Sequence, residues 1–394
     1  MRRSPLIVVY LTVFVDLLGF GIILPILPFY AEKFGADGFW VGAVLTAYSA
    51  AQFVGAIFLG RLSDRIGRRP VLLASLVGSA ISLTVMGLAN SLWILLLSRL
   101  LAGAFGGSIT TAQAYIADVT DSGERTKYMG LLGASIGMGF VFGPAIGAGL
   151  SGFGFSTAAF VAGTLALANF IFGYVALRES RMAEHVVSRQ AQLNSANLRR
   201  ALRHPDIGRL LVSSFLATLA FVGMEATFAL FGQARFGLDA GSLGLIFTFV
   251  GIVIAVVQGG LIGRLDAKFG ERALALAGAV AMGLALVAIP LVSSLVLSMV
   301  VLAALATGQG LLTPTLSSLL SQASEVEEQG GTLGLGQSVG AGARAIGPLI
   351  AGWMFDRGMW LPYIAGAVLV LCAAWILRGV RVRAPLVAVE AEGE

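Results

Sequence analysis

The chain consists of long apolar runs separated by short polar segments. Twelve runs of about 20 residues follow one another, and this is the length that crosses a bilayer as a helix. A backbone within the hydrocarbon must satisfy its own hydrogen bonds, so each run predicts a transmembrane helix. The predicted spans are 6–31, 40–60, 71–89, 92–117, 127–150, 155–177, 208–232, 242–263, 273–292, 295–321, 330–355 and 359–378.

The composition agrees with this pattern. The chain is 57% hydrophobic and 12% charged, whereas soluble domains contain about 25% charged residues. A transmembrane barrel is excluded, because its strands would alternate apolar and polar residues. The 52 glycines favour helices that pack closely on small-residue faces. We therefore expect an all-α integral membrane protein with twelve transmembrane helices.

Basic residues predict the orientation. The loops on one side of the predicted membrane contain only three of them, Lys33, Arg235 and Arg357, and nearly all the others lie on the opposite side. The positive-inside rule then places both termini in the cytoplasm of a multi-pass cell-membrane protein. The net charge of +5 reflects this topology and indicates no nucleic-acid partner.

The two halves of the chain resemble each other. Phe34-Gly35 recurs 202 residues later as Phe236-Gly237, and Gly143-Pro144 recurs 204 residues later as Gly347-Pro348. Such repeats place a substrate site between halves that move against each other. The predicted domains are an N-terminal bundle (1–177), a central loop (178–207), a C-terminal bundle (208–380) and a tail (381–394).

The sequence contains no pattern typical of catalysis or of a cofactor site. Cys372 is the single cysteine, and both histidines, His185 and His204, fall in the central segment. We therefore expect no metal site. Because the chain lacks a G-x-x-x-x-G-K-[ST] loop, direct ATP drive is unsupported. The chain is predicted to be no enzyme, and to use a proton gradient rather than a cofactor.

The loop between the second and third predicted spans reads Gly60-Arg61-Leu62-Ser63-Asp64-Arg65-Ile66-Gly67-Arg68-Arg69 and resembles the signature loop of the major facilitator superfamily. Three segments resemble patterns of its drug/proton antiporter branch: 16–21, Arg99 with Gly103 and Gly107, and 139–147. The resemblance implies the major facilitator fold of two six-helix bundles and proton-driven transport of small molecules.

The N-terminal half is also similar to the tetracycline/proton antiporter family, through 67–76 and 114–121. Tetracycline pumps of that family carry functional carboxylates in the third and ninth spans. Here the third-span position is Ser82, and the predicted ninth span has no acidic residue. The resemblance therefore implies proton-coupled efflux, and the missing carboxylates argue against tetracycline as the cargo without excluding it.

Asp16 and Glu225 are the acidic residues that lie deep within predicted spans. An ionised carboxylate at that depth costs several kcal/mol unless it is paired or hydrated, so it is found mainly where function requires it. We predict that both couple transport to protons. Arg99 and Arg344 are the intramembrane bases. The alternative is that Asp16–Arg99 and Glu225–Arg344 are purely structural ion pairs.

The signature loop predicts a gate at the cytoplasmic face. The N-terminus of the eleventh span carries a positive dipole and is expected to hold Asp64 when that face is closed. The arginines of the loop are expected to pair with Asp118 or with acidic residues of the other half; alternatively, they only determine topology. The predicted gating residues are Gly60, Asp64, Arg65, Gly67, Arg68, Arg69 and Asp118, and the acids of the other half are Glu325, Glu327 and Glu328.

Two Gly-Pro pairs, Gly143-Pro144 and Gly347-Pro348, lie within small-residue stripes of the fifth and eleventh spans. Such stripes indicate close helix packing. The prolines are predicted to bend their helices where the change of access occurs.

Uncharged polar and aromatic side chains within the spans are candidate substrate contacts. The family resemblance implies that spans one, four, seven and ten line the cavity. The alternative is that the polar members form interhelical hydrogen bonds worth about 0.6 kcal/mol each. The candidates are Phe20, Tyr48, Gln52, Gln113, Tyr115, Phe221, Gln258, Gln309 and Gln337.

The function predicted from these features is proton-coupled antiport of lipophilic or drug-like compounds out of the cell. A proton symporter or facilitator that imports a metabolite is the first alternative, and a receptor or scaffold that transports nothing is the second. The expected partners are a small-molecule substrate, protons and the lipid bilayer, and the protein is expected to act as a monomer.

Overall fold

The computed structural model describes residues 4–120, 122–180, 201–324 and 329–381. Twelve helical spans follow one another, and ten of them, counted over these described residues, are long and apolar enough to cross a membrane. This confirms the predicted all-α membrane fold. Of the predicted central loop and tail, 181–200 and 382–394 lie outside the described residues. The spans are Ser4–Ile23, Gly38–Ile66, Arg68–Gly87, Leu92–Ala104 with Ser108–Val119, Ser122–Leu150, Phe155–Ala176, Pro205–Phe236, Ala240–Val256 with Val257–Leu261 and Ile262–Phe269, Glu271–Ala288, Leu295–Gln322, Gln329–Phe355 and Leu361–Leu377.

The first span is shorter than predicted. It ends at Ile23, and a separate short helix follows at Leu27–Glu32. Pro25 lies in the turn between them and has no backbone N–H to donate, so the helical ladder stops there. Pro28 occupies the first turn of the short helix, where a missing N–H costs nothing.

The fourth span is broken into two helices, which the sequence analysis did not predict. Between Ala104 and Ser108 the chain makes short-range turn bonds, from Gly106 N to Gly103 O (2.8 Å) and from Gly107 N to Phe105 O (2.8 Å). Glycine is a poor helix former, and three of them fall within five residues here. The break creates a new helix N-terminus at Ser108, inside the bundle.

The second and eighth spans begin in the same way. Asp37 Oδ1 accepts a bond from Trp40 N (3.0 Å), and Asp239 Oδ1, 202 residues later, accepts one from Ser242 N (2.8 Å). Both aspartates thus act as N-caps. The Ser242 hydrogen bonds hold the pKa of the Asp239 carboxyl below its usual range. The repeated caps show that the similarity of the two halves extends to their local structure.

Each half has its own buried core. In the C-terminal half one apolar cluster extends from Ile207 to Val380. The N-terminal half is stabilised by polar contacts as well, because Tyr30 OH donates to Met86 O (3.2 Å) and Ala89 O (3.0 Å). Asn169 Nδ2 donates to Thr12 O (3.0 Å) and joins the sixth span to the first.

The two halves meet at two equivalent helix pairs, the second span with the eleventh and the fifth with the eighth. A Cβ added to Gly42 would collide with the carbonyl of Pro348, and one added to Gly244 would lie 2.7 Å from Pro144 O. Gly42 and Gly244 are 202 residues apart, and the two prolines 204. The same glycine-to-carbonyl contact is therefore used twice.

Pro144 and Pro348 both lie inside continuous helices, Ser122–Leu150 and Gln329–Phe355. That these prolines bend with the change of access stays a prediction. The structure adds that each Gly-Pro pair lies where the halves touch. Gly143 also packs inside its own half, where an added Cβ would lie 2.6 Å from Gly21 Cα.

We expect Gly42→Val and Gly244→Val to separate the halves at the face that these contacts close. A branched side chain would overlap a backbone carbonyl that cannot move alone, at a cost of about 1–3 kcal/mol. Spin labels at positions 153 and 360, one on each half, in a Cys372→Ser background, would report the separation.

Gly149→Val is the matched control, because nothing lies within 4 Å of a Cβ added there. It should leave the label distance of the parent protein unchanged. If Gly42→Val and Gly149→Val gave the same distances, the proposed role of these contacts would be wrong.

Candidate functional site

A polar cavity of about 50 Å³ lies inside the N-terminal bundle. This volume admits one or two water molecules, and its polar walls offer them hydrogen-bond partners. The cavity is lined by residues of the first four spans and by Ala166 of the sixth. Its polar members are Asp16, Tyr48, Gln52, Ser79, Ser82, Arg99 and Ser108.

Asp16 is held by two serine hydroxyls. Ser79 Oγ donates to Asp16 Oδ1 (3.0 Å) and Ser108 Oγ donates to Asp16 Oδ2 (2.5 Å). Ser108 is the first residue of the second half of the broken fourth span. The carboxyl group therefore lies at a helix N-terminus, where unpaired N–H groups and the helix dipole favour negative charge. The break in the fourth span thus provides one of the two groups that hold Asp16.

Arg99 lines the same cavity but forms no ion pair with Asp16. Arg99 is 3% exposed, its Nη2 donates to Met86 Sδ (3.2 Å), and its Nε has no hydrogen-bond partner among the described residues. The Asp16–Arg99 pair is therefore absent from this conformation, in which serines bind both carboxylate oxygens. A buried guanidinium without an acidic partner is costly, so Arg99 needs a functional explanation.

Three of the predicted substrate contacts do meet at this cavity. The rings of Phe20 and Tyr48 lie 5.0 Å apart, and Gln52 Nε2 donates to Tyr48 OH (3.0 Å). Phe140 of the fifth span packs edge-on against Phe20 at 5.9 Å, and it was not among the predicted contacts. Phe140 lies in the segment 139–147, which resembles the fifth-span pattern of drug/proton antiporters, and this was the sequence feature that could have identified it. Together these rings form an apolar wall beside the acidic group.

Ser82 lies where the resemblance places a third-span carboxylate. The structure buries it completely in the wall of the Asp16 cavity, and its Oγ donates to Ser79 O (2.9 Å). A second acid at this position would face Asp16 across a small, poorly hydrated space. Asp16 is therefore the one acidic residue in the lining of the cavity.

Glu225 lies on the seventh span and interacts electrostatically with Arg344 of the eleventh. The two do not form a salt bridge, and Arg344 is exposed. The field of Arg344 also reaches Tyr48 of the N-terminal half. The Glu225–Arg344 ion pair, the structural alternative for these two charges, is thus not formed here.

The other predicted substrate contacts do not join this group. Tyr115 is buried in the N-terminal core, where its OH donates to Arg178 O (2.9 Å), so in this structure it does not line the cavity. Phe221 packs against the C-terminal core. Gln309 is partly buried, and its Oε1 has no hydrogen-bond partner in the described part of the chain. The remaining three predicted glutamines, Gln113, Gln258 and Gln337, are exposed. Within the described ranges no cluster of three metal-ligating side chains occurs.

The signature loop is organised around Arg68. Its Nη1 binds Asp64 Oδ1 at 2.5 Å and its Nε binds Asp118 Oδ2 at 3.0 Å. Arg69 Nη2 donates to Tyr174 O (2.7 Å). The predicted Arg68–Asp118 pair is therefore present, and it connects the second, third and fourth spans. Asp64 is bound within its own half, and residues 325–328, the alternative partners in the other half, lie outside the described residues.

Glu179 is a further member of this network that sequence reasoning missed. It accepts hydrogen bonds from the backbone N–H groups of Arg68 (2.9 Å) and Arg69 (3.2 Å), and so caps the third span. Gly67 is required here, because its φ is 106° and a Cβ would collide with the Glu179 carboxylate. The sequence feature that could have identified Glu179 is its position just after the sixth predicted span.

At the opposite membrane face a carboxylate joins the two halves. Asp356, at the end of the eleventh span, accepts bonds from Gly38 N (2.7 Å) and Phe39 N (2.8 Å) at the start of the second. Thr46 Oγ1 accepts a bond from Leu349 N (3.2 Å) further along the same helix pair. A carboxylate at a helix N-terminus is favoured by the dipole, as was predicted for Asp64 at the other face.

A second polar contact closes this face. The Gln233 side-chain amide, oriented so that its nitrogen faces the acid, donates to Glu32 Oε2 (2.7 Å) and Oε1 (3.1 Å). Burial raises the pKa of the Glu32 carboxyl, and the Gln233 bond opposes part of that rise. The structure is thus closed at the face opposite the signature loop.

Two related six-helix bundles that carry charged side chains within their spans, and close against each other at one membrane face, define a multi-pass membrane transport protein. The model of the Major Facilitator Superfamily matches residues 9–267 and 259–393. The chain belongs to this superfamily.

Individual relatives agree with that assignment. The chain is 33% identical to the class C tetracycline resistance protein of Escherichia coli, over 97% of this chain and 98% of that protein. It is 28% identical to multidrug resistance protein 2 of Bacillus subtilis, over 94% of each. The crystal structure of the human organic anion transporter MFSD10 superposes with a TM-score of 0.71 at 26% identity, covering 95% of this chain and 99% of that one.

We expect Asp356→Asn to weaken closure at the face opposite the signature loop. The amide has no charge to interact with the helix N-terminus, so closure should lose about 1 kcal/mol, a several-fold change in population. The spin-label pair at positions 153 and 360 would measure it.

Asp239→Asn is a suitable control, because Asp239 caps the eighth span within its own half and asparagine is an equally good N-cap. The contact would have no role in closure if both variants left the label distances unchanged.

Proposed function

We propose that the protein is a proton-coupled antiporter that exports lipophilic, drug-like compounds from the cell by alternating access. The proposal rests mainly on one observation: the half-buried carboxyl group of Asp16 lies in a small cavity, where two serines bind it and no described arginine pairs with it. It includes the orientation predicted from the basic residues, with both termini in the cytoplasm of the cell membrane.

Asp16 is suited to bind and release a proton. Serine hydroxyls both donate and accept hydrogen bonds, so Ser79 and Ser108 can serve the ionised and the protonated carboxyl alike. The cavity has room for the water that delivers the proton. Arg99 lies in the same wall and is the candidate partner for ionised Asp16 in the other conformation. Exchange of partners would then couple protonation to the movement of the halves.

The cargo proposed is lipophilic. The wall formed by Phe20, Tyr48 and Phe140 offers aromatic surface beside the proton site. The resistance proteins of Escherichia coli and Bacillus subtilis support an export function. Ser82, in place of a third-span acid, argues against tetracycline itself. Glu225 is proposed to contact protons or cargo from the C-terminal half.

An anionic cargo is the second possibility that the site supports. Arg344 is exposed, and one relative of known structure is described as an organic anion transporter. A guanidinium in that position would attract an anionic group. Transport assays should therefore include anionic as well as cationic lipophilic compounds.

Asp16→Asn should abolish transport that depends on the proton gradient, because an amide cannot exchange the proton. The measurement is substrate-induced proton movement in everted vesicles, together with drug susceptibility of cells with and without an uncoupler. Substrate binding, followed as thermal stabilisation of the purified protein, should persist in the variant.

The control is Asp239→Asn, an acid-to-amide change outside the cavity that should retain transport. Unchanged proton movement in Asp16→Asn would remove Asp16 from the mechanism. Resistance that survives collapse of the gradient would contradict antiport, and accumulation of substrate instead of export would favour the symporter.

For closure of the cytoplasmic face we retain the predicted contact between Asp64 and the N-terminus of the eleventh span. Asp64→Asn should slow transport and raise the fraction of molecules closed at the opposite face, because a charge–dipole contact of about 0.3–1 kcal/mol is lost. Initial transport rates and the same spin-label pair would measure this.

Asp118→Asn provides the comparison, since it removes the other carboxylate bound to Arg68 but not the proposed contact between halves. An Asp64→Asn protein with the rate and label distances of the parent would show that Asp64 has no gating role.

A further inference from the structure

A basic cleft lies outside the transport site, at the ends of the seventh, ninth and twelfth spans. Its volume is about 520 Å³. It is on the same membrane face as the signature loop, because the seventh and ninth spans start there. Its charged lining is formed by Asp206, Arg209, Arg272, Arg378 and Arg381.

Two of these arginines are held in place by the end of the twelfth span. Arg209 Nη1 donates to Gly379 O (2.7 Å), and Arg272 Nη2 donates to the carbonyl of Arg378. Gly379 is part of the fit, because a Cβ there would lie 3.2 Å from Arg209 Cζ. The cleft therefore has an ordered wall in which guanidinium groups are positioned before any ligand binds.

The charge in the cleft is unbalanced. Asp206 is bound by Arg209 at 3.4 Å and by the backbone N–H of Arg381 at 3.2 Å. Within the described part of the chain, the guanidinium groups of Arg378 and Arg381 have no hydrogen-bond or salt-bridge partner, and that of Arg272 has no acidic one. With four arginines and one aspartate, the cleft has a net positive charge. It therefore favours a phosphate or carboxylate group, because a guanidinium group binds two oxygens of such an anion at once.

The position of the cleft indicates that the anion belongs to a lipid. The twelfth span has an exposed apolar stripe formed by Val368, Leu371 and Trp375. The stripe ends at Trp375, about one helical turn before Arg378. Trp375 is 73% exposed, as expected for a tryptophan at the level of the lipid headgroups. Acyl chains on this stripe would place a phosphate at the mouth of the cleft.

We propose that this cleft binds the phosphate headgroup of an anionic phospholipid at the face of the signature loop. The lipid would join the ends of the seventh, ninth and twelfth spans through Arg378 and Arg381, with Arg272 beneath them. Basic pockets between helix ends at this level are suited to such headgroups.

The experiment measures lipid binding to the purified full-length protein by native mass spectrometry, with dioleoyl-phosphatidylglycerol and dioleoyl-phosphatidylcholine as probes. The test variant is Arg378→Gln/Arg381→Gln, which removes two charges but leaves the backbone contacts of both residues intact. The control is Arg264→Gln/Lys268→Gln, which removes two exposed charges of the same half outside the cleft.

The parent protein and the control should retain phosphatidylglycerol in preference to phosphatidylcholine. The cleft variant should bind phosphatidylglycerol about 30-fold more weakly, from the loss of two cationic contacts at the membrane surface. Its melting temperature in detergent without added lipid should match that of the parent, so that weaker binding cannot be ascribed to misfolding.

Equal lipid binding by the parent and the cleft variant would overturn the proposal, as would an equal loss in both double variants. The last measurement compares thermal stabilisation of the parent protein by inorganic phosphate and by phosphatidylglycerol. If inorganic phosphate stabilised the parent as strongly as phosphatidylglycerol at the same concentration, the site would bind a free anion, and the lipid assignment would be wrong.

Discussion

Within the hydrocarbon of a bilayer every polar group must find its partner inside the protein, and this constraint governs both the fold and the site. It requires helical spans, since a helix satisfies its own backbone. It also explains how Asp16 is accommodated. The break in the fourth span exposes a helix N-terminus inside the bundle, and Ser108 at that terminus and Ser79 of the third span bind the carboxyl group. An uninterrupted helix would offer no free N–H groups at this depth.

The same constraint gives the separation of Asp16 and Arg99 its significance. Each group is satisfied only in part by neutral neighbours, and a change in the protonation of either alters the energy of the bundle far more than it would in water. A fixed ion pair would hold the N-terminal half in one arrangement. Without that ion pair, the proposed coupling has a physical basis, because the two groups are free to pair in a second arrangement.

The contact between the halves has a different physical basis. Gly42 and Gly244 let carbonyls of the opposite half approach at two equivalent positions, so the repeat in the sequence becomes a repeated contact surface. Backbone packing of this kind opens and closes without exposing a charge to lipid. Polar groups add to it where water is near, in the bonds from Gly38 and Phe39 to Asp356. The signature loop, by contrast, uses the charge of Arg68 to connect helix ends within one half.

The sequence by itself determined the class, the number and approximate position of the spans, and the repeat, because the length of an apolar run and the offset between motifs can be read without knowing any contact. It also identified Asp16 and Arg99 as the charges of interest. Only the tertiary structure decided their partners. Serines are common in these spans, and which of them faces Asp16 depends on the rotation and register of three separate helices. For the same reason Tyr115 proved to be a core residue, and Glu179 and Asp356 were recognised as helix caps only once distant segments had been brought together.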